Sequence, residues 1–208
     1  MRDVSATARQ ALRLGSATLG ESGARRMRSR IKPVWRGAQL AAPAYPVRCT
    51  PGDNLAVHVA VANAPAGSAL VVDVGEEWEL GYWGEVLTTA AEARGMVGLV
   101  IDGGVRDGDA LEAHQFPVFA TGLALPGAAK ELPGAVNRPV VVGDVDVEPG
   151  DWVVGDRDGV VVLPYATLDD VLRAGEARAE KEAGFFNALR AGTTTLELLD
   201  LDTGPIDV

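Results

Sequence analysis

The sequence predicts one mixed α/β domain with a helical N-terminal arm and a long C-terminal helix. Three observations predict it. Strand and helix patterns alternate between residues 38 and 120, which argues a buried, mainly parallel sheet. The runs Ala69–Val74 and Met96–Ile101 are almost continuously apolar, as strands buried on both faces are. After residue 138 the pattern changes to short strands with Gly and Asp at the turns, then to one long charged helix.

Taken in order, Ser5–Leu14 and Ala17–Arg30 read as two helices, the second strongly basic. Residues 38–49 (AQLAAPAYPVRC) contain Pro43 and Pro46 and are expected as an extended segment at a sheet edge, where a missing N–H is tolerated. Asp53 can cap a helix over Asn54–Asn63, ended by the Ala-Pro-Ala-Gly run at 64–67. After the strand Ala69–Val74, the loop Glu76–Trp83 (EEWELGYW) leads to Gly84 and a helix over Val86–Arg94. Met96–Ile101 is followed by the loop Asp102–Asp107, a short helix and the strand Val118–Ala120. Four short strands come next: Pro139–Val142, Val145–Val147, Asp151–Val154 and Gly159–Leu163, with Asp158-Gly159 as a hairpin signal. Tyr165–Ala191 is the long helix, expected to leave the body and contact a neighbour, and Leu196–Leu201 is a short apolar tail. Residues 1–36 form the arm, within the same domain as the body at 37–208.

The chain has 208 residues, 47% apolar and 23% charged, which suits one globular domain with a sizeable core. Disorder, collagen and coiled coil are excluded. No apolar run approaches the roughly 18 residues of a membrane helix. The start MRDVSATARQALRLG has no apolar signal core, so a cytoplasmic location is expected. Cys49 is the sole cysteine, which excludes an internal disulfide and a thiolate metal cluster.

The net charge of −10 is unevenly spread. Residues 1–36 carry nine basic and two acidic residues, net +7, which leaves −17 on the remainder. Such a body repels nucleic acid and anionic membranes at long range, so neither is expected as a partner. It also repels a small dicarboxylate unless a local positive site overrides the field. The arm is expected to pack on an acidic neighbour in an oligomer.

Several chemistries are excluded. There is no GxGxxG or P-loop fingerprint, and no GxSxG elbow. His58 sits mid-helix among Ala and Val and reads as a satisfied core or interface histidine. His114, before Phe116-Pro117, reads as exposed. Two isolated histidines without HxxxH or HExxH spacing make no zinc site. Lys32, Lys130 and Lys181 lie in polar or loop contexts, unlike a Schiff-base lysine in an apolar pocket. Carbanion chemistry is therefore expected to use a metal rather than an imine.

Two elements can carry chemistry. Trp83-Gly84-Glu85-Val86-Leu87 is a glycine turn opening a helix, and the N–H groups of Val86 and Leu87 can take a carboxylate or phosphate. Asp102-Gly103-Gly104-Val105-Arg106-Asp107 follows the carboxyl end of a strand, where open α/β sheets bind ligands. Asp107 offers a hard oxygen to Mg²⁺ or Mn²⁺, and Arg106 can grip a carboxylate with two donors. Taken alone, a Gly-Glu helix start more often serves only the helix dipole, and an Arg-Asp pair more often forms a surface pair. Asp102 is assigned to turn structure.

These residues resemble a known family. Glu85, twenty intervening residues and then Arg106-Asp107 matches the pattern of the class II pyruvate aldolases, which act on 4-hydroxy-4-methyl-2-oxoglutarate or 4-carboxy-4-hydroxy-2-oxoadipate. The context WGEVLTTAAEARGMVGLVIDGGVRD is similar to the family core, as are GDNLAVHVAVANAPAGSALVVD upstream and GDWVVGDRDGVVVLP downstream. The resemblance covers about residues 16–190. It implies an αββα sandwich of the swivelling β/β/α type with a mixed sheet. It also implies a divalent-metal-dependent lyase releasing pyruvate through an enolate, with oxaloacetate decarboxylation as a second activity.

By the same resemblance, Asp107 holds the metal. Arg106 binds the keto-acid end and stabilises enolate charge. The amides of Val86 and Leu87, in the Gly84–Leu87 turn, grip the pyruvyl carboxylate, and Glu85 orders water that shuttles the proton. A homotrimer or hexamer is implied, with sites at subunit interfaces and Glu180 or Glu182 completing a neighbour's site. The fold also includes regulators of ribonuclease activity, which resemble this chain at Arg-Asp but generally lack the upstream acid. A protein-binding regulator of a ribonuclease is thus the alternative, as is the same chemistry on another keto acid. Two features depart from the type member: Glu85 is one methylene longer than its Asp, and the acidic, aromatic loop 76–83 is expected at the pocket mouth.

Overall fold

The apolar runs at 69–74 and 96–101 form neighbouring parallel strands in a nine-stranded mixed sheet. The computed structural model describes residues 3–206. In chain order the elements are α1 (Val4–Gly20), β1 (Arg25–Arg26), β2 (Lys32–Pro33), β3 (Leu40–Arg48), α2 (Leu55–Asn63), β4 (Ala69–Asp73) and α3 (Glu85–Ala93). Next come β5 (Gly98–Ile101), β6 (Gly104–Val105), α4 (Gly108–Ala113), β7 (Val118–Ala120), β8 (Gly122–Leu123) and β9 (Ala135–Val136). The chain finishes with β10 (Val140–Val142), β11 (Val145–Val147), β12 (Trp152–Gly155), β13 (Val160–Leu163), α5 (Leu168–Arg190) and α6 (Thr195–Leu199). Among these, no helix is long and apolar enough to cross a membrane.

The main sheet runs β1-β13-β12-β3-β4-β5-β7-β2, with β9 also on β3. Strands β3, β4, β5 and β7 are parallel, and α2, α3 and α4 cross between them. One apolar core lies between this half and those helices, built on Val57, Leu70, Leu99 and Trp83. A second lies on the opposite face under the β10–β11 ribbon, around Phe119 and Val153. A third joins β12 and β13 to α1 and α5 through Leu14, Trp152, Leu163 and Leu168. All four residues that α5 buries lie in its first eight positions (Leu168, Val171, Leu172, Gly175), and Phe186 on its second half is 51% exposed.

Two expectations are corrected. Residues 38–49 do not form an edge: β3 lies between β12 and β4 near the sheet's middle. The prolines are accommodated by staggered pairing. Strand β12 pairs with residues 40–43 of β3 on one side, and β4 pairs with residues 44–48 on the other. Along a strand, N–H groups alternate sides. Ala44 donates to Asp151 O, so Pro46 faces that same side, past the end of β12, and Pro43 faces the other side, before β4 begins. Past β12 that side of β3 meets β9, and Pro46 O accepts from Asn137 N there at 2.8 Å.

The second correction concerns 17–30. Gly15 (φ +77°) breaks α1, and Asp156 caps the new start by accepting from Ser16 N and Oγ. The helix nevertheless stops at Gly20, because Arg25–Arg26 pairs with β13 as the edge strand. Several of the arm's cations pair within their own chain. Arg13 pairs with Glu176, Arg28 with Asp144 and Arg30 with Asp102; Arg25 donates to Asp146 O. Arg2 lies outside the described residues.

Candidate active site

Strand β5 delivers the chain to Asp102 at the carboxyl end of the parallel strands. Asp102 is not a simple turn residue. It is 7% exposed and accepts from Arg30 Nε (2.7 Å), Arg30 Nη2 (2.6 Å) and Gly143 N (2.9 Å). That two-pronged pair anchors the loop leading to Arg106-Asp107. Arg30 also sits 5.3 Å from the ring centre of Trp78, in the neighbouring loop. Main-chain bonds lace the two loops together: Gly104 N to Trp78 O, Tyr82 N to Gly104 O and Arg106 N to Trp83 O.

Asp107 stands in the left-handed region (φ +59°, ψ +42°) at the start of α4. Its carboxylate does not cap its own helix; Oδ2 accepts the N–H of Glu85 at 3.0 Å, across 22 residues. Gly84 makes this approach possible, since a Cβ there would lie 2.4 Å from Asp107 Oδ2. Arg106 runs through space that other glycines clear. A Cβ at Gly81 would meet Arg106 Cδ at 3.1 Å, and one at Gly127 would meet Nη1 at 3.2 Å. Arg106 Nε is 3.9 Å from Asp107 Oδ2, and both side chains are nearly half exposed.

These residues surround one cavity of about 260 Å³. Gly84, Val86 and Leu87 line it with Arg106 and Asp107. The amides of Val86 and Leu87 precede the first helical bond of α3, Thr88 N to Gly84 O, and so have no acceptor within the helix. Glu85 contributes differently. Its amide ties down Asp107, while its carboxylate is 57% exposed and lies 3.7 Å from His114 Nε2. His114 is half-buried, not exposed, because Nδ1 meets Glu92 Oε2 at 2.8 Å. Of the loop 76–83, only Gly81, Tyr82 and Trp83 line the cavity; its three glutamates are exposed elsewhere.

With Gly127 and Ala128, three polar residues that the spacing of motifs did not single out as a site also line the cavity: Asn54, His58 and Lys130. His58 is not a satisfied core histidine. Its Nε2 is buried without a hydrogen-bond partner in the protein, as is Asn54 Oδ1. Burial, with nearby Lys130 adding to it and Asp53 opposing, holds the His58 imidazole below its ordinary value. For Asn54, which caps α2, and His58 in its first turn, the sequence signal was their i, i+4 spacing.

Metal binding can be weighed from the donors present. Among the described residues no group of three or more His, Cys, Asp or Glu could enclose an ion. Asp107 is the cavity's own carboxylate. One carboxylate with a largely aqueous remainder suits Mg²⁺ or Mn²⁺ and does not suit zinc. A larger depression of about 440 Å³ adjoins the other side of Arg106 and Asp107, rimmed by the exposed Leu123 and Leu125.

The chain is similar to known proteins in sequence and in fold. The "Putative 4-hydroxy-4-methyl-2-oxoglutarate aldolase" of Halalkalibacterium halodurans is 36% identical over 162 residues, covering 77% of each chain. Among solved structures, an uncharacterised protein from Pseudomonas syringae superposes with a TM-score of 0.84 at 26% identity, covering 93% of this chain and 92% of that one. RraAS2 of Streptomyces coelicolor, an unusual member of the RNase ES inhibitor RraA family, gives 0.75 at 26% identity over 90% and 98%. The description RraA-like, Aldolase/RraA, matches residues 7–162, three quarters of the sequence, and the chain belongs to that family.

Proposed function

We propose that this chain is a divalent-metal-dependent lyase that cleaves a 4-hydroxy-2-oxo acid, of the 4-hydroxy-4-methyl-2-oxoglutarate type, to pyruvate. Oxaloacetate decarboxylation is its proposed side activity. One observation carries the reading: Arg106, Asp107 and the amino end of α3 converge on one cavity, tied by the Glu85–Asp107 bond.

The chain's residues divide the work. The amides of Val86 and Leu87 take the pyruvyl carboxylate, aided by the dipole of α3. Arg106 binds the keto-acid end and faces the negative charge that grows as the C3–C4 bond breaks. The bond's electron pair passes to C3, the C4 hydroxyl loses its proton as C4 becomes a carbonyl, and C3 later takes a proton. Glu85 orders the water that carries that proton. Asp107 would hold Mg²⁺ or Mn²⁺, which when bound supplies Lewis acidity toward the 2-oxo oxygen. Oxaloacetate passes through the same carbanion when it loses carbon dioxide.

A trimer or hexamer is part of the proposal, with Glu180 or Glu182 of a neighbour completing each site. The exposed Leu123 and Leu125 beside Arg106, and the exposed Phe186, Leu196 and Leu199 near the C-terminus, support it. Glu182 is paired with Arg178 on its own helix. The second reading, a regulator that binds a ribonuclease, draws on the likeness to RraA structures. Mixing the purified chain with each acid and Mg²⁺ or Mn²⁺, and following pyruvate, separates the two.

A further inference from the structure

Glu85 and Glu92 stand about two helical turns apart on α3, so both carboxylates lie along one face of it. That face meets the end of α4. His114 caps α4, donating its main-chain N–H to Ala110 O, and its ring reaches across to α3. Nδ1 meets Glu92 Oε2 at 2.8 Å, and Nε2 stands 3.7 Å from Glu85 Oε1. One imidazole thus bridges two carboxylates of the same helix. His114 is not among the residues that line the cavity, so what it can act on there is Glu85 and not the substrate.

The contact with Glu92 sets the ring's protons. An ionised carboxylate only accepts, so Nδ1 carries a hydrogen in both charge states of the ring. Nε2 is then the nitrogen that gains and loses a proton, and it faces Glu85. Histidine is the side chain whose ordinary titration lies nearest neutral pH. The His114 side chain is 25% exposed, which gives the ring access to water. A closure of about 0.8 Å brings Glu85 Oε1 to hydrogen-bond distance, and the exposed Glu85 side chain has room to make it. A staple between α3 and α4 would need only the Nδ1 contact; the second nitrogen turned to Glu85 is what a staple leaves unexplained.

The proton count of the two reactions asks for such a group. Cleavage removes a proton from the C4 hydroxyl and returns one to C3, so it consumes none. Decarboxylation of oxaloacetate takes one proton from outside. Both need a store beside the site that solvent can refill. Resting on the aldolase reading, we propose that His114 is that store, a positioning residue that holds the Glu85 carboxylate and passes a proton through it. Protonated His114 gives its Nε2 proton to Glu85, and the N–H electron pair stays on Nε2. Glu85 hands the proton to its water as that water protonates C3. In cleavage the C4 hydroxyl proton returns to Nε2 along the same path; in decarboxylation bulk water refills Nε2.

The test reads the proton step at C3 by itself. Pyruvate methyl protons exchange with heavy water when a proton is removed from C3 and returned, and NMR follows this with no carbon–carbon bond broken. Exchange, and cleavage of 4-hydroxy-4-methyl-2-oxoglutarate, are measured with Mg²⁺ in wild type, His114→Gln and His114→Ala. Glutamine keeps a donor for Glu85 and cannot carry a proton. In both variants exchange and kcat fall about tenfold or more, with KM within about twofold of wild type. Free imidazole added to His114→Ala restores part of the exchange and leaves wild type unchanged. Exchange at the wild-type rate in both variants, or a loss that imidazole does not restore, overturns the relay and leaves the aldolase reading standing. A wild-type chain that neither releases pyruvate nor exchanges its protons overturns both.

Discussion

The main-chain N–H of Glu85 donates to the carboxylate of Asp107 at 3.0 Å. That single bond joins the amino end of α3 to the loop after β5. It brings the turn that opens α3 and the Arg106-Asp107 loop to one cavity, lined by Gly84, Val86 and Leu87 but not by Glu85 itself. It also fixes Oδ2 of the one carboxylate that the cavity offers to a hard cation.

Gly84 holds the clearance for that bond. In Gly84→Ala the new methyl would stand 2.4 Å from Asp107 Oδ2, so the carboxylate must move. The backbone at Gly84 is extended, and strain in the turn itself is small. A displacement of about 1 Å at a reacting centre costs on the order of 100-fold in rate. The expected result is a loss of that size in kcat/KM, with a thermal midpoint close to wild type. A variant with full activity would show that the Glu85–Asp107 bond is dispensable.

The Arg30–Asp102 pair ties the arm to the site. Removing one partner of a buried pair leaves the other uncompensated, at about 3–5 kcal/mol when both are fully buried. Arg30 is a third exposed, so Asp102→Asn should cost less, about 1–3 kcal/mol. Urea unfolding measures the loss. Arg30→Met combined with Asp102→Asn should destabilise by less than the sum of the single changes.

Asp53 satisfies three backbone N–H groups while 1% exposed. Asp53→Ala strands them, at about 2–4 kcal/mol. Hydrogen exchange at Glu131 and Leu132 should accelerate in the variant. Unchanged protection there would show that the segment is held by other contacts.

His58 makes stability depend on pH. Its folded value lies below the ordinary 6.5, chiefly through burial. Below pH 6.5 the unfolded chain therefore binds the proton more readily than the folded one, and stability falls as pH drops toward the folded value. His58→Gln removes this term. Between pH 7.5 and 5.5 the urea midpoint of the variant should fall less than that of wild type. Equal falls would place the acid sensitivity elsewhere.

The parts of the fold that were legible in the sequence are those where local pattern and final environment coincide. Ala69–Val74 and Met96–Ile101 are apolar because β4 and β5 are covered on both faces. Glu85 and Arg106-Asp107 are twenty residues apart because one helix and one strand return the chain to the same end of the sheet. What was missed depends on distant partners. Whether Pro43 and Pro46 can sit mid-sheet depends on where β12 stops and β4 starts. Asp102 looked like a turn residue because Arg30 lies 72 positions away. His58 looked like core because an apolar helix does not reveal which of its polar groups meets a cavity.

The central claim is that Arg106 and Asp107 perform metal-dependent release of pyruvate. It is tested by following pyruvate from 4-hydroxy-4-methyl-2-oxoglutarate and from oxaloacetate, with wild type and Arg106→Ala. Each is measured with Mg²⁺ or Mn²⁺ and after chelation. The account predicts release that chelation abolishes and metal restores, with Arg106→Ala losing about 2–4 kcal/mol of transition-state stabilisation, or roughly 30- to 1000-fold in rate. Pyruvate release that ignores chelation, or an Arg106→Ala rate equal to wild type, would contradict it.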